Sequence, residues 1–293
     1  MRVVICGASG QLGSELRAVY GARGDEVLAF DMDLDITLYD VVMERIPALA
    51  PDLLINSAAH VEADEAESDP ELSYRVNFTG TQNLALAARR AGCPLVFLSS
   101  DYVFDGNKGE AYNEFDEPHP RGVYARAKLA AERYIPGIAP EHYIFRTQWL
   151  FGRHGRRNFV KSILRGARLN GRLRVVTDEV GTPTGAGDLA EIIARTADSG
   201  KFGLYHATNA GACSRFDFTR EILELAGLSD IPVEPITHAD LALPCPRPAY
   251  SPLDNMRLRL QGFPPSRHYR EPLREYVEWL IADESRLELE GVK

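Results

Sequence analysis

Gly7, Gly10 and Gly13 constrain this chain most, because they follow its first apolar run, Arg2-Val3-Val4-Ile5-Cys6, and open a helical pattern. Glycines there permit a tight turn, let backbone N–H groups approach a pyrophosphate and allow helix and strand to pack closely, while the helix N-terminus favours negative charge. The Gly-x-x-Gly-x-x-Gly spacing is one residue wider at the front than the common dinucleotide fingerprint. Its context compensates, since a second apolar run, 26–30, ends at an acidic residue, Asp31, eighteen positions beyond Gly13. A strand, a glycine turn, a helix and an acid-tipped strand together predict a dinucleotide site.

Further apolar runs at 52–58, 94–99 and 142–147 read, with the first two, as strands buried on both faces. Helical spacing separates them, as over 69–91, where Leu72, Val76, Leu84 and Ala88 recur and Gly92 supplies the stop. The alternation predicts an α/β fold, a Rossmann-like doubly wound parallel sheet. Beyond about residue 150 the rhythm changes. Helices are expected over 159–167, 188–197, 216–226 and 271–281, strands over 173–176 and 203–207, and an irregular Pro-rich segment over 232–265. The expected organisation is a dinucleotide-binding domain over 1–150, with later returns near 179–210. Residues 151–293 then form mainly a smaller substrate-binding lobe, and a cleft between the two is the expected ligand site.

The net charge of −9 argues against binding nucleic acid or an anionic membrane. Cys6, Cys93, Cys213 and Cys245 contain no paired spacing for a disulfide framework or a zinc site, which points to a reducing compartment. No apolar run approaches the ~18 residues of a membrane span. The expectation is a cytoplasmic protein.

A carboxylate at Asp31 can accept hydrogen bonds from a ribose 2′-hydroxyl and repels a 2′-phosphate. No Arg or Lys lies between Asp25 and Glu44, so NADH is mildly favoured over NADPH. The bland alternative makes Asp31 a solvated turn residue beside Asp33 and Asp35.

Tyr124 and Lys128 lie four residues apart, on one face of the helix after the fourth strand, downstream of a strand-end hydroxyl pair, Ser99-Ser100. Reducing a ketone by hydride requires a proton for the developing alkoxide. Tyr124 is the expected donor, with Lys128 and an oxidised nicotinamide drawing its pKa towards neutrality, while Ser100 steadies the oxygen.

Taken together, these motifs resemble the extended short-chain dehydrogenase/reductase superfamily, and within it the dTDP-4-dehydrorhamnose reductase family. The resemblance runs through Gly7–Gly13, Leu34–Ile36, Ile55–His60, Ser99–Gly106, Tyr124–Glu132, Arg146–Trp149, Asn158-Phe159, Gly181–Ala186 and Arg247-Pro248 with Ser251. It implies reduction of the C4 ketone of dTDP-4-dehydro-6-deoxy-L-mannose to dTDP-L-rhamnose, with NADH or NADPH as cofactor. It further implies that Gln11 and Leu12 contact the cofactor phosphates, that Asp35 and Ile36 flank the adenine, and that Ala58, Ala59 and His60 line the cofactor groove. Ser100, Tyr124 and Lys128 form the catalytic set, Asp101 and Trp149 touch the sugar, and Asn77 supports a proton-relay water. Ser100 stands where threonine is usual, and Ala125 where glycine is common. Some relatives hold magnesium between subunits with glutamates. Glu15 fits that pattern, but Gly187 occupies another ligand position, so a metal-bridged dimer is not expected and the chain is read as a monomer or homodimer.

On position alone Trp149 reads as packing, and only the resemblance makes it a wall for the sugar. Glu62, Asp64, Glu65, Glu67 and Asp69 lack calcium-loop spacing and read as a solvated face. Arg247 is the expected diphosphate contact, whereas Arg153, Arg156 and Arg157 are expected to face solvent. Two other functions stay open: another nucleotide-sugar ketoreductase, epimerase or dehydratase, and a non-catalytic cofactor-binding regulatory subunit.

Overall fold

The computed structural model describes residues 1–155 and 157–283. Arg156 and the last ten residues of the expected second lobe lie outside them. Six parallel strands form the central sheet: β1 (Arg2–Cys6), β2 (Glu26–Phe30), β3 (Leu53–Asn56), β4 (Leu95–Ser100), β5 (His142–Thr147) and the strand Gly203–His206. Their order across the sheet is Gly203–His206, β5, β4, β3, β1, β2. The chain therefore reverses its direction of winding between β1 and β3, and such a switch point opens a crevice at the carboxyl ends of those strands.

Two apolar layers cover the sheet. One joins Val3 and Ile5 to the helix Gln11–Ala22 (α1) and to Leu189–Ala194; the other joins Val4 and Cys6 to Val42 and Ile46 of the helix Tyr39–Ala48 (α2) and to Leu84–Ala88. The two faces arise because successive strand residues point to opposite sides. A third apolar cluster gathers Phe151, Val160, Leu164, Val175, Phe218, Leu273 and Leu280 away from the sheet. Residues after Phe151 thus divide between that cluster and the Ala186–Ala197 and Gly203–His206 elements, which return to the sheet.

Two expectations need correction. β2 is not buried on both faces: it is an edge strand with β1 as its neighbour, so Glu26 and Ala29 stay exposed. The helix expected over 69–91 is continuous only in outline, because residues Arg75–Gly80 widen into a π turn between the helices Pro70–Tyr74 and Thr81–Ala91. Gly92 ends it in the left-handed conformation, φ 69°. Within the Pro-rich segment Val233–Ile236 also forms a strand, pairing with Leu173–Val176. Pro235 is tolerated because the pair is a two-stranded sheet with open edges.

Candidate active site

The glycine turn closes the carboxyl end of β1 against that of β3. A Cβ on Gly7 would lie 2.5 Å from the Ala58 nitrogen, and one on Gly13 2.2 Å from the Gly7 oxygen, so both positions exclude any side chain. Gly7 also has φ 79°. Among the described residues no side chain caps α1 at Gly10, and its first turn holds no acidic group, which leaves the amides of Gln11, Leu12 and Gly13 facing outward. Such a helix start suits a pyrophosphate. Residues 58–60 follow β3, with the Ala58 backbone against Gly7. Asn77, fully buried in the π turn, pins them by accepting from the His60 N–H at 3.1 Å and donating to the His60 carbonyl at 2.9 Å. His60 Nδ1 is buried and has no hydrogen-bond partner. The side-chain-free cradle at Gly7 and Gly13 and the uncapped helix start fit a dinucleotide.

Asp31, a half-buried bend residue, is tied to the glycine turn. Its carboxylate accepts from the Ser9 amide at 3.1 Å and from the Ser9 hydroxyl, bracing the glycine turn. Asp35 caps its own loop through Thr37, while Ile36 is buried against Gly80, where a Cβ would meet it at 2.6 Å. The electrostatic reading of this end also needs correction. Arg45 returns from α2 to donate to the Asp33 carbonyl at 2.6 Å and lies 5.0 Å over the Phe30 ring. A cation therefore stands beside the acidic tip of β2, and the argument against a 2′-phosphate loses its electrostatic premise.

At the end of β4, Ser100 donates to Asp101 at 3.1 Å and accepts from the Tyr102 amide at 3.2 Å. Tyr124, half-buried at the start of the helix Val123–Ile138, stands edge-on to Tyr102 with ring centroids 6.0 Å apart. One turn on, Lys128 is buried, donates to the Leu98 carbonyl at 2.8 Å and lies 4.8 Å over the Phe97 ring. Burial lowers its pKa to about 7, against the opposing charge of Glu132.

The protonation of the Tyr124 phenol is governed by its own surroundings. Burial pushes the Tyr124 pKa upward, the Ser100 hydrogen bond opposes it, and the Asp101 charge adds to the rise. The phenol thus keeps its proton at neutral pH, the form a proton donor requires.

Asp101 is buried and takes part in a polar network reaching the second half of the chain. Ser251 donates to it at 2.7 Å, and Gln148 donates to the Ser251 carbonyl at 2.7 Å. Burial lifts its pKa to about 6, although Ser251, Gln148 and Ser100 hold it back. Trp149, half-buried, has φ 47°, with the Arg215 guanidinium 3.6 Å above its ring. Arg247 is already paired, donating to Asp64 at 2.7 Å and to the Cys245 carbonyl at 3.2 Å, and lies 5.8 Å over Tyr102. Arg153 and Arg157 are exposed.

In the acidic run Glu62, Glu65 and Asp69 are exposed, as a solvated face requires, but Asp64 and Glu67 are half-buried and paired. Glu67 accepts from the Val123 amide at 2.6 Å and so caps the helix that carries Tyr124; Asp64 accepts from Arg247 and from the Cys245 amide at 3.1 Å; Glu65 meets His60 at 3.3 Å. Near Gly187, Glu15 faces His154 at 3.9 Å, while Asp188 and Glu275 are both bonded to Arg267, at 2.8 and 2.6 Å. Among the described residues no three ligating side chains gather as a metal site, and no helix is long and apolar enough to cross a membrane.

A family model described as the RmlD substrate binding domain matches residues 1–281. The dTDP-4-dehydrorhamnose reductase of Mycobacterium tuberculosis (strain CDC 1551 / Oshkosh) is 41% identical over 278 residues, covering 93% of this chain and 91% of that protein. Among solved structures, a dTDP-4-dehydrorhamnose reductase from Clostridium acetobutylicum has a TM-score of 0.93 at 38% identity, covering 96% of this chain and 99% of that one. Another from Bacillus anthracis, in complex with NADP, has a TM-score of 0.92 at 34% identity, covering 95% and 99%.

Proposed function

The chain belongs to the RmlD substrate-binding-domain family, and from that premise we propose that it reduces the C4 ketone of dTDP-4-dehydro-6-deoxy-L-mannose to give dTDP-L-rhamnose. The observation that carries the reading is the convergence of Ser100, Tyr124 and Lys128 at the carboxyl end of β4, beside the switch-point crevice. Gly7–Gly13 and residues 58–60 would hold a nicotinamide dinucleotide, which would supply the hydride.

The protein's own groups do the rest. Ser100 hydrogen-bonds the ketone oxygen and stabilises the charge that develops there. Tyr124 gives that oxygen its proton. Lys128, in its cationic form, compensates the tyrosinate left behind. Asp101 and Trp149 hold the sugar, and the apolar cluster from Phe151 onward supports the segment that carries Trp149. Arg247 exchanges Asp64 for the diphosphate, an anion better matched to its fork. NADPH is admitted as well as NADH, since Arg45 offsets Asp31 and Asp33. The protein works as a monomer or homodimer in the cytoplasm.

The test is a panel of 4-keto sugar nucleotides assayed with NADH and NADPH, with product configuration read by NMR. Cofactor consumption with the dTDP-linked sugar and the L-rhamno product are expected. Cofactor binding with no consumption would point instead to a regulatory subunit.

A further inference from the structure

We infer that Arg215 is a positioning residue that fixes the plane of the Trp149 indole as a wall of the sugar site, an inference resting on the reading of Trp149 as a sugar contact.

Trp149 is placed by an unusual set of constraints. Its backbone is left-handed at φ 47°, a conformation that bulky residues rarely adopt and that persists only when the surroundings determine it. Its carbonyl accepts from the Thr184 amide at 3.2 Å, which ties this kink to the neighbouring strand. The backbone of Gly181 runs against the ring so closely that a Cβ would lie 2.6 Å from Cε2, 2.8 Å from Cζ2 and 3.0 Å from Nε1. The Arg215 guanidinium then lies 3.6 Å from the ring centroid.

Arg215 is in turn held. Its amide donates to the Glu179 carbonyl at 3.0 Å, and its Nε to Glu179 Oε1 at 3.0 Å. The other carboxylate oxygen of Glu179 meets His238 at 3.2 Å. The short antiparallel pairing of Val180-Gly181 with Cys213-Ser214 brings the two residues opposite each other. Because Glu179 neutralises it, Arg215 is not arranged to attract a substrate anion. What remains is its flat face, which suits an aromatic ring and restrains it.

A hydrogen-bond chain links the residue beside the indole to the catalytic end of β4. The charge of Glu179 acts on Asp101, and those of Glu179 and Arg215 act on Tyr102. Gln148, next to Trp149, bonds Ser251, which bonds Asp101. Simple packing is the competing account, since Phe218 lies 6.3 Å from the indole. It explains neither a left-handed backbone at Trp149 nor a mostly buried cation laid on its ring.

The chain has two tryptophans, Trp149 and Trp279, so a Trp279→Phe background makes Trp149 the only fluorophore of its kind. In that background Arg215→Met keeps the chain length and removes the cation. Gly181→Ala pushes the ring aside without touching Arg215. Both should raise KM for the nucleotide sugar about tenfold, the scale of a desolvated cation–π contact, while kcat falls by less than about threefold. Both should also raise acrylamide quenching of Trp149, and Arg215→Lys should recover part of each effect. Trp149→Ala separates the two levels. If it leaves KM unchanged, the sugar-wall reading itself fails. If it raises KM while a folded Arg215→Met or Gly181→Ala protein moves neither KM nor quenching, the positioning role is wrong.

Discussion

Replacing Glu132 by glutamine should cost this protein a large share of its stability. Arg146 donates to Glu132 through three bonds, at 2.6, 3.0 and 3.2 Å, and the two side chains are 4% and 3% exposed. The guanidinium also lies 5.0 Å over Phe104 and faces His206 at 3.5 Å. His206 cannot serve as a substitute anion, and burial, reinforced by Arg146, pushes its pKa down to about 3. Glu132→Gln therefore leaves a buried cation uncompensated, at about 3–5 kcal/mol, out of the roughly 5–15 kcal/mol that holds a typical protein folded. With an m-value of about 3 kcal/mol/M, the urea midpoint should fall by at least ~1 M. Glu132→Met with Arg146→Met should restore it, because an apolar pair avoids both desolvation costs. The double variant should nevertheless lose activity near neutral pH. Glu132 is the charge that holds the Lys128 pKa up, so its removal takes Lys128 below about 7 and leaves it neutral. Urea unfolding followed by circular dichroism, with a pH–rate profile of the double variant, checks both halves. A single variant losing less than ~1 kcal/mol, or a double variant as unstable as the single, would refute this account of the pair.

Arg45→Ala should weaken NADPH binding about tenfold and leave NADH nearly unchanged, measured by calorimetric titration, because a charge-assisted phosphate contact is lost. Lys128→Met should abolish turnover while raising the melting temperature. The native pKa of Lys128 is lowered from 10.5 to about 7, so its burial penalty is full below pH 7, and the stability gained should shrink as pH rises towards 10.5. Glu67→Ala removes the cap on the Val123 amide; it should cost about 1 kcal/mol, roughly 2–4 °C in Tm, and lower kcat by loosening Tyr124.

The sheet was legible because β1, β3, β4 and β5 are short apolar runs separated by helical spacing, a pattern few other folds produce. The edge character of β2 was not, since Val27-Leu28-Ala29-Phe30 looks the same whether one neighbour or two flank it. The Tyr124, Lys128 and Ser100 group could be found because two of its members share a helix face and the third ends the preceding strand. Arg45 lay one residue beyond the stretch inspected for a 2′-phosphate partner, and only the return of α2 over Phe30 brings it there. Glu67 and Asp64 looked like solvated charge because their partners, Val123 and Arg247, are remote in sequence. Arg215 carried no motif at all, and its meaning comes from the short pairing that sets it opposite Glu179.

Single-turnover reduction by Tyr124→Phe, compared with the parent at equal cofactor saturation, tests the central claim most directly. The account predicts unchanged cofactor affinity and a hydride-transfer rate lowered by about 10²–10⁴, the contribution of a positioned proton donor. A Tyr124→Phe protein that consumes cofactor within about threefold of the parent rate would contradict it.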